Sequence, residues 1–444
     1  MYRTLTVAVI SVVTLFMVNS AFSQSYQTCG VSACDPCDQT SNLFCNSCDP
    51  ITGYGCCGKG SFWDKISIYG WVQAGMTFND HGCTNSYTGG PVSPCSRQLD
   101  AFSGNSYLLL SKQPTNFGVY QTWLGVKKDL DAAHGLDWGF TLDTLYGTDG
   151  KYAQCFGDQS FDYGWGSGDY DFSFVQAYGE LGCRNLTLRA GKFASAMTHE
   201  ALPALATFFH SQSYTCYNMP LTFFAVTADY KLSDRLTLSG GWTPGYHTSF
   251  GNRFDDNGFI GRVKLRVTDN VNLAYNVYAG KSFGFDKQAD ADLYGRVYNS
   301  ASHSAHSLIC TVNLGKQWLY MIEGVFADNN YDHNNRQAAQ RTFCGGINQH
   351  LIYTVNKCWA VGLRGEWSNN NGTMFDIPDQ AYSGGEGCDI YALSLCANWT
   401  PNTWFILRPE LRYDWSDYNN GFKPFANGTQ ASQLSAGGSF IVKF

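Results

Sequence analysis

Apolar and polar residues alternate along most of the chain from about residue 66 onward. Within residues 261–280, Val263, Leu265 and Val267 alternate with basic residues, and after the stretch 268–270 apolar residues alternate with asparagines. Because successive side chains of a β-strand point to opposite faces, this pattern predicts a hairpin with one apolar and one polar face. The pattern recurs in segments such as ADYKLSDRLTLSGGW and IYTVNKCWAVGLRGEW.

A soluble β-sandwich would alternate in the same way, but two features favour a barrel that spans a membrane. Each predicted strand runs for about ten residues, the length of a tilted strand across a bilayer. The connections also alternate between short turns and long loops, as they do in outer-membrane barrels. The short turns lie near residues 129–135, 182–185, 233–235, 268–270, 315–318, 355–357 and 399–403. The long connections are residues 80–117, 147–171, 194–223, 245–257, 280–306, 329–342, 369–388 and 416–434.

These connections separate sixteen strands. We therefore predict an all-β fold: a transmembrane antiparallel β-barrel of about 16 strands, with short periplasmic turns and long external loops, over residues 61–444. The first and last strands must pair, since an open sheet edge does not survive in hydrocarbon. The chain ends in GGSFIVKF, whose alternate residues Phe440, Val442 and Phe444 share one face. We expect this strand to pair with the first, near Ile66–Phe78, and Phe444 to be the assembly signal for the barrel-insertion machinery.

The first 23 residues predict a signal peptide. Arg3 precedes an apolar run over residues 7–18, and Ala21 and Ser23 fit the small-residue pattern of a cleavage site. The run is shorter than a membrane-spanning helix, which argues against an N-terminal anchor. Export followed by a barrel predicts the cell outer membrane of a Gram-negative bacterium as the location.

Composition agrees with this prediction. Aromatic residues make up 16% of the chain, charged residues only 15%, and the net charge is −7. This balance, without a cluster of basic residues, argues against nucleic acid as a partner. No later stretch holds about 18 consecutive apolar residues, so the sequence predicts no membrane-spanning helix. Tryptophan and tyrosine near strand ends predict an aromatic girdle: Trp242, Trp318, Tyr320, Trp359, Trp367, Trp399, Trp404 and Trp415.

Residues 24–60 form a cysteine-rich segment of a chain with 17 cysteines. Its CxxC spacings would suit a metal site, but an exported chain without histidine in this segment favours disulfides. We therefore expect no metal and no cofactor. The disulfide candidates are Cys29, Cys34, Cys37, Cys45, Cys48, Cys56, Cys57, Cys83 and Cys95.

Several segments resemble the β-barrel porin-2 (OmpL-like) family, which is common in planctomycetes and some proteobacteria. They are the strand entry DWGF, the strand exit LYGTD, the strand LTLRAGKF, the loop motif FFHSQSYT and the hairpin DYKLSDRLTLSGGW. Together they cover most of the chain after residue 66, whereas residues 24–60 do not fit the pattern. The resemblance implies an outer-membrane pore.

Placing the polar face of each strand inward gives a set of candidate pore-lining residues. These charges could polarise a channel, or they could simply be solvated on a hydrated wall. Sixteen strands enclose a lumen too wide for side chains to fill, which favours a water-filled channel. The candidates are Asp143, Arg189, Asp229, Arg262, Lys264, Arg266, Glu323, Arg364, Glu366, Arg408, Glu410, Arg412 and Asp414.

Loop 194–223 is unusually apolar and aromatic. It could fold into the lumen, where His199, Glu200 and His210 would line a constriction. Alternatively, Phe208, Phe209 and neighbouring leucines would only pack against the inner wall. The two interpretations are compatible.

The sequence as a whole predicts a porin that passes small hydrophilic solutes passively, embedded in outer-membrane lipid and able to form a homo-oligomer such as a trimer. The alternative is a structural or adhesive barrel whose cysteine-rich segment cross-links envelope partners. A barrel hydrolase is a weaker alternative, because no GxSxG or similar motif is present, and we expect no enzyme activity.

Overall fold

The structure is a computed structural model of the 444-residue chain. It describes residues 65–80, 117–154, 162, 165–167, 170–217, 219–245, 257–282, 301–330, 341–370, 388–417, 423, 425 and 430–444. The predicted signal peptide, the cysteine-rich segment and all nine disulfide candidates lie outside the described residues, so those expectations remain predictions.

Sixteen antiparallel strands form a closed barrel, as the alternation and the turn spacing predicted. A two-residue strand, β4, pairs only with β5 and extends that hairpin. The strands are β1 (Ile66–Asn79), β2 (Gly118–Lys128), β3 (Leu136–Gly147), β4 (Gly166–Ser167), β5 (Tyr170–Cys183), β6 (Leu186–Ala194), β7 (Thr222–Lys231), β8 (Leu236–Thr243), β9 (Gly258–Arg266), β10 (Val271–Ser282), β11 (Ala301–Leu314), β12 (Trp318–Asn330), β13 (Arg341–Thr354), β14 (Trp359–Asn370), β15 (Cys388–Asn402), β16 (Phe405–Asp417) and β17 (Ser432–Lys443).

Pairing between β1 and β17 closes the barrel. The ladder runs from Trp71 opposite Lys443 to Asn79 opposite Ser435. Beyond it, the Gly70 N–H donates to the Phe444 carbonyl and the Phe444 N–H donates to the Gly70 carbonyl, both at 3.0 Å. Closure leaves the sixteen-strand circuit without an open edge, which is what hydrocarbon requires of a spanning sheet.

Three of the short turns share one geometry that their sequences explain. In each, the first N–H donates to a carbonyl four residues ahead: Leu232 to Leu236, Val267 to Val271 and Val355 to Trp359, all at 2.9 Å. A serine, threonine or asparagine follows the first residue and accepts N–H bonds with its side chain, as these residues do in tight turns. The turn predicted at 399–403 is shorter than expected, because β15 runs to Asn402 with a register irregularity after Trp399.

Helical structure among the described residues is limited to short segments. They are three 3₁₀ turns, Ala132–His134, Gly150–Tyr152 and Ala204–Ala206, and one α-helical turn, α1, Tyr214–Tyr217. None of the described helices has the length and apolarity needed to cross a membrane.

The two faces of the barrel wall differ as the alternation predicted. On β16, Leu407, Leu411, Tyr413 and Trp415 are exposed on the outer face, while the four charged residues between Arg408 and Asp414 are buried on the inner face. Further exposed girdle residues are Trp242, Trp318, Trp359 and Trp404. The apolar outer face is therefore suited to contact with lipid, and the charged residues lie on the inner face.

Candidate functional site

Residues 195–217 and 219–221, between β6 and β7, lie inside the barrel and are called the constriction loop below. Phe208 and Phe209 are buried, at 5% and 1% exposure, and pack with inner-wall residues Ile352, Ala360 and Cys396. The loop that could have been external is therefore folded against the wall. Both interpretations of the sequence therefore hold: the loop enters the lumen, and its phenylalanines pack against the inner wall.

An ion-pair network joins the loop to β14 and β16. The Arg364 guanidinium lies between Glu200 of the loop, with Nη1 to Oε1 at 2.8 Å, and Glu366, with Nε to Oε1 at 2.8 Å. Arg412 reaches the same Glu366 oxygen at 2.9 Å and Asp414 at 2.8 Å. All five side chains are at most 2% exposed. Buried charges at such distances hold one another in place, because removing any partner leaves an unpaired ion in a low dielectric.

Strand carboxylates also accept hydrogen bonds from the loop backbone. Glu410 accepts from the His210 and Ser211 N–H groups at 2.6 and 3.1 Å, and Glu366 accepts from the Tyr214 N–H at 2.6 Å. Charge-assisted bonds of this kind are about twice as strong as neutral ones. The wall thus fixes the path of the loop backbone as well as the positions of its side chains.

Glu323 of β12 holds the two ends of the same loop. One carboxylate oxygen accepts from the His199 N–H at 2.7 Å, and the other accepts from the Thr215 hydroxyl at 2.9 Å. Tyr214 adds a bond from its hydroxyl to Asp414 at 2.8 Å. One carboxylate therefore joins segments of the loop that lie sixteen residues apart in sequence.

The preceding stretch of the loop is held by neutral and cationic donors. The Gln121 side chain on β2 donates to the Leu202 carbonyl at 2.8 Å and accepts from the Ala204 N–H at 3.0 Å. Arg408 on β16 donates to the Ala204 carbonyl at 3.2 Å, and Asn398 on β15 donates to the Phe208 carbonyl at 3.1 Å. The constriction loop is thus bonded to strands on both sides of the β1–β17 junction.

The ionisable groups of the loop are shifted by this environment. Burial would by itself raise the pKa of Glu200, but Arg364 and His350 together hold that pKa below its usual range. Burial, together with neighbouring His350, lowers the pKa of His199 to about 4. At neutral pH the loop therefore contributes a carboxylate already paired with arginine, and an uncharged His199.

The wall opposite the loop is arranged differently. In the circuit of sixteen strands, β9 lies eight strands from β17 and hence directly across the barrel. Arg262 and Lys264 point inward from β9, where Arg262 is half-buried and Lys264 is exposed. An inward-pointing lysine that remains exposed indicates open lumen next to this wall.

Three further charged groups lie on strands near Arg262 and Lys264. Arg189 on β6 is bound to Glu180 on β5, with Nη2 to Oε1 at 2.7 Å. Asp229 on β7 lies two strands from Arg262 in the register, with Ser239 of β8 between them. The open wall, defined as the inner face of β5–β9, therefore carries charges of both signs.

The predicted pore-lining residues separate into two groups by position. Arg189, Asp229, Arg262, Lys264 and Arg266 lie on the open wall. The loop covers seven others: Glu323, Arg364, Glu366, Arg408, Glu410, Arg412 and Asp414. Asp143 is also buried, at 1% exposure, and accepts bonds from Tyr69 and Gln176. Of the predicted loop residues, Glu200 and His210 are buried and His199 is half-buried.

Sequence reasoning did not identify several residues that hold the loop. Tyr214, Ser211, Gln121 and His350 all contact it or belong to it, and each is at most 4% exposed. A signal was present in the run SQSYT, residues 211–215, which is dense in small hydrogen-bond donors and interrupts an apolar loop. Gln121 and His350 belong to inward-facing polar stripes, but neither is an Asp, Glu, Lys or Arg, so the charge pattern of the strands does not single them out.

Comparisons with known proteins agree with the geometry. The family model described as "Putative beta-barrel porin-2, OmpL-like" matches residues 65–444. No curated protein matches the sequence. Among solved structures, the chain is similar to an anion-selective porin from Comamonas acidovorans (TM-score 0.54, 10% identity, 85% of this chain and 99% of that one).

Two other solved structures are similar to a comparable extent. They are the outer membrane channel DcaP of Acinetobacter baumannii (TM-score 0.53, 12% identity, 85% and 97% covered) and OprB of Pseudomonas putida (0.53, 14%, 86% and 95%). At such low identity these likenesses establish the fold alone.

Proposed function

Because the chain belongs to the β-barrel porin-2 (OmpL-like) family, we propose that it is an outer-membrane porin that lets small hydrophilic solutes diffuse passively through a water-filled channel. The observation that carries the proposal is the asymmetry of the lumen. Hydrogen bonds and ion pairs hold the constriction loop against the wall from β12 through β17 to β2, whereas the inward-facing Lys264 on β9 stays exposed. Solutes would pass between the loop and the open wall.

The rigidity of the loop supports a permanently open path. Buried ion pairs and charge-assisted hydrogen bonds anchor it at Glu200, His210, Ser211 and Tyr214. A loop held at so many points would keep the width of the channel constant. Passive diffusion requires no moving part, since a pore needs only a hydrated path with weak binding.

The rival functions lack comparable support. An adhesive barrel would depend on residues 24–60, which lie outside the family match, and neither the family nor the similar structures are adhesins. The family and the similar structures are channels rather than enzymes, in line with the absence of a nucleophile motif in the sequence.

We also propose the cellular setting. The leader at residues 1–23 would direct export, and the C-terminal strand ending at Phe444 would be recognised by the barrel-insertion machinery. The exposed apolar outer face would lie in outer-membrane lipid. Association into a trimer would use part of that face.

Reconstitution of the full chain in planar bilayers tests the proposal. We expect discrete, ohmic conductance steps that do not depend on energy input. Liposome swelling should show that small sugars enter faster than larger ones. A correctly folded, heat-modifiable barrel that stays silent at all voltages would overturn the proposed function.

A further inference from the structure

The two walls of the lumen differ in how their charges are paired. On the loop-covered wall, carboxylates outnumber arginines, but each carboxylate is buried and accepts hydrogen bonds from described groups. Glu200, Glu366 and Asp414 are each bound to an arginine, while Glu323 and Glu410 accept from loop N–H or hydroxyl groups. These carboxylates are therefore already bonded to protein groups and are not accessible to an ion in the channel.

The described rim of the loop adds little charge to the passage. Among the described residues of the loop, Ala206 is exposed, and the half-buried ones are Ser195, Ala196, His199, Ala201, Pro203, Leu205 and Leu221. His199 is uncharged at neutral pH, because its pKa is lowered to about 4 by burial and by neighbouring His350. Among the described residues, the loop thus presents no accessible carboxylate to a passing ion.

The open wall carries unpaired cations. Neither Arg262 nor Lys264 forms an ion pair within 4.0 Å with a described residue, and the Arg262 Nε–H has no described hydrogen-bond acceptor. The acidic residue nearest to them in the strand register is Asp229, two strands away on β7. Glu180, on β5, is already paired with Arg189. Arg262 and Lys264 lie two residues apart on one strand, so both point into the same part of the lumen.

Positive charge also exceeds negative charge on β9 and its neighbours toward the short-turn end of the barrel. Arg266 points inward two residues beyond Lys264, and its Nη2 donates to the Asp234 carbonyl at 3.1 Å. It forms no ion pair within 4.0 Å with a described residue. Lys231 is neutralised by Asp234, with Nζ to Oδ1 at 2.8 Å. A small anion entering from this end would meet the Arg266 guanidinium before it reaches Lys264 and Arg262.

We propose that this open wall makes the channel select small anions, with Arg262 and Lys264 as the residues that determine selectivity. The inference rests on the proposed channel function and adds its substrate class: small inorganic and carboxylate anions. Unpaired guanidinium and ammonium groups attract anions and repel cations along the path, while the opposite wall contributes buried, hydrogen-bonded charges and a loop whose described residues include no accessible carboxylate.

Reversal potentials of the full chain in a potassium chloride gradient test the proposal. For two unit charges close to the path in water at about 0.1 M salt, we expect chloride to be about fivefold more permeant than potassium. In the R262Q/K264Q variant the ratio should fall to about one, and in the wild type it should fall as salt rises. Lys264, being exposed, is also replaced alone as K264Q, so that a folding defect of the double variant does not obscure the result.

The control variant K316Q/K357Q removes two lysines that are exposed in short turns of other strands. It should keep the wild-type ratio, because neither residue lies on the open wall. Cation selectivity of the wild type, or an unchanged ratio in a correctly folded R262Q/K264Q variant, would overturn the inference while leaving the channel in place. A barrel without conductance would instead remove the proposed function, and this inference with it.

Discussion

Replacing Arg364 by methionine should release the constriction loop from the barrel wall. The guanidinium makes ion pairs with Glu200 and Glu366 at 2.8 Å and donates to the Ser211 carbonyl at 2.8 Å and to the Ser211 hydroxyl at 2.6 Å. Removing one partner from a buried ion-pair network costs about 3–5 kcal/mol. Glu366 keeps Arg412, so the loss falls mainly on the attachment of the loop.

This cost predicts the size of the effect. Since 1.36 kcal/mol corresponds to a factor of ten, a cost of about 3–5 kcal/mol should raise the fraction of molecules with a released loop roughly 160- to 5,000-fold. The sixteen-strand ladder does not depend on Arg364, so the barrel should still form.

Limited chymotrypsin digestion with mass-spectrometric mapping measures the release directly. The bonds after Phe208 and Phe209 are protected in the native protein, where both rings are buried. Cleavage there should become much faster in R364M, and single-channel records should show larger and noisier steps. R235M, which removes an exposed arginine from a short turn, is the matched control and should behave as wild type. Equal protection at Phe208 and Phe209 in R364M and wild type would refute the assignment of Arg364 as an anchor.

Three further outcomes are expected. A Cβ added at Gly362 would lie 2.5 Å from a ring carbon of Phe208, whereas one at Gly365 would meet nothing within 4 Å, so G362A should speed cleavage of the loop and G365A should not. Burial and a neighbouring histidine lower the pKa of His199 from 6.5 to about 4. Docking of the loop should therefore be fully stable above about pH 6.5 and weaken as the pH falls to about 4. Hydrogen exchange of the loop against pH should show this weakening, and H199Q should remove the pH dependence between 6.5 and 4. Deleting Phe444 should reduce the yield of heat-modifiable barrel more than any single lumen substitution, because both its N–H and its carbonyl bond to β1; a normal yield would contradict that role.

The strands were predictable from sequence because their signals are local. In β9 and β10, apolar and polar residues alternate, and the turn between them is specified by Thr268, whose hydroxyl accepts the Val271 N–H at 3.1 Å. The inward orientation of Arg364 or Glu410 follows from the same alternation. Pattern and turn chemistry thus account for the closed barrel.

Whether those inward residues are buried under the loop or exposed to water was not predictable, because it depends on contacts between residues far apart in sequence. Glu410 receives the Ser211 N–H across 199 residues, and Arg364 reaches Glu200 across 164. Alternation cannot distinguish a charge in water from one under a loop, since both point inward. For the same reason the sequence did not separate Arg262 and Lys264, on the open wall, from the covered arginines.

The contact between the first and last strands has a consequence for how the barrel is made. The Gln73 side chain donates to the Ser439 hydroxyl at 3.1 Å, although 366 residues separate them. Pairings of such long sequence separation form slowly, because the chain entropy of closing the intervening segment is lost before the contact is gained. Until β17 reaches β1, two strand edges remain unsatisfied in the membrane. Substitutions along this seam should therefore appear first as slower assembly, even where the finished barrel is as stable as the original.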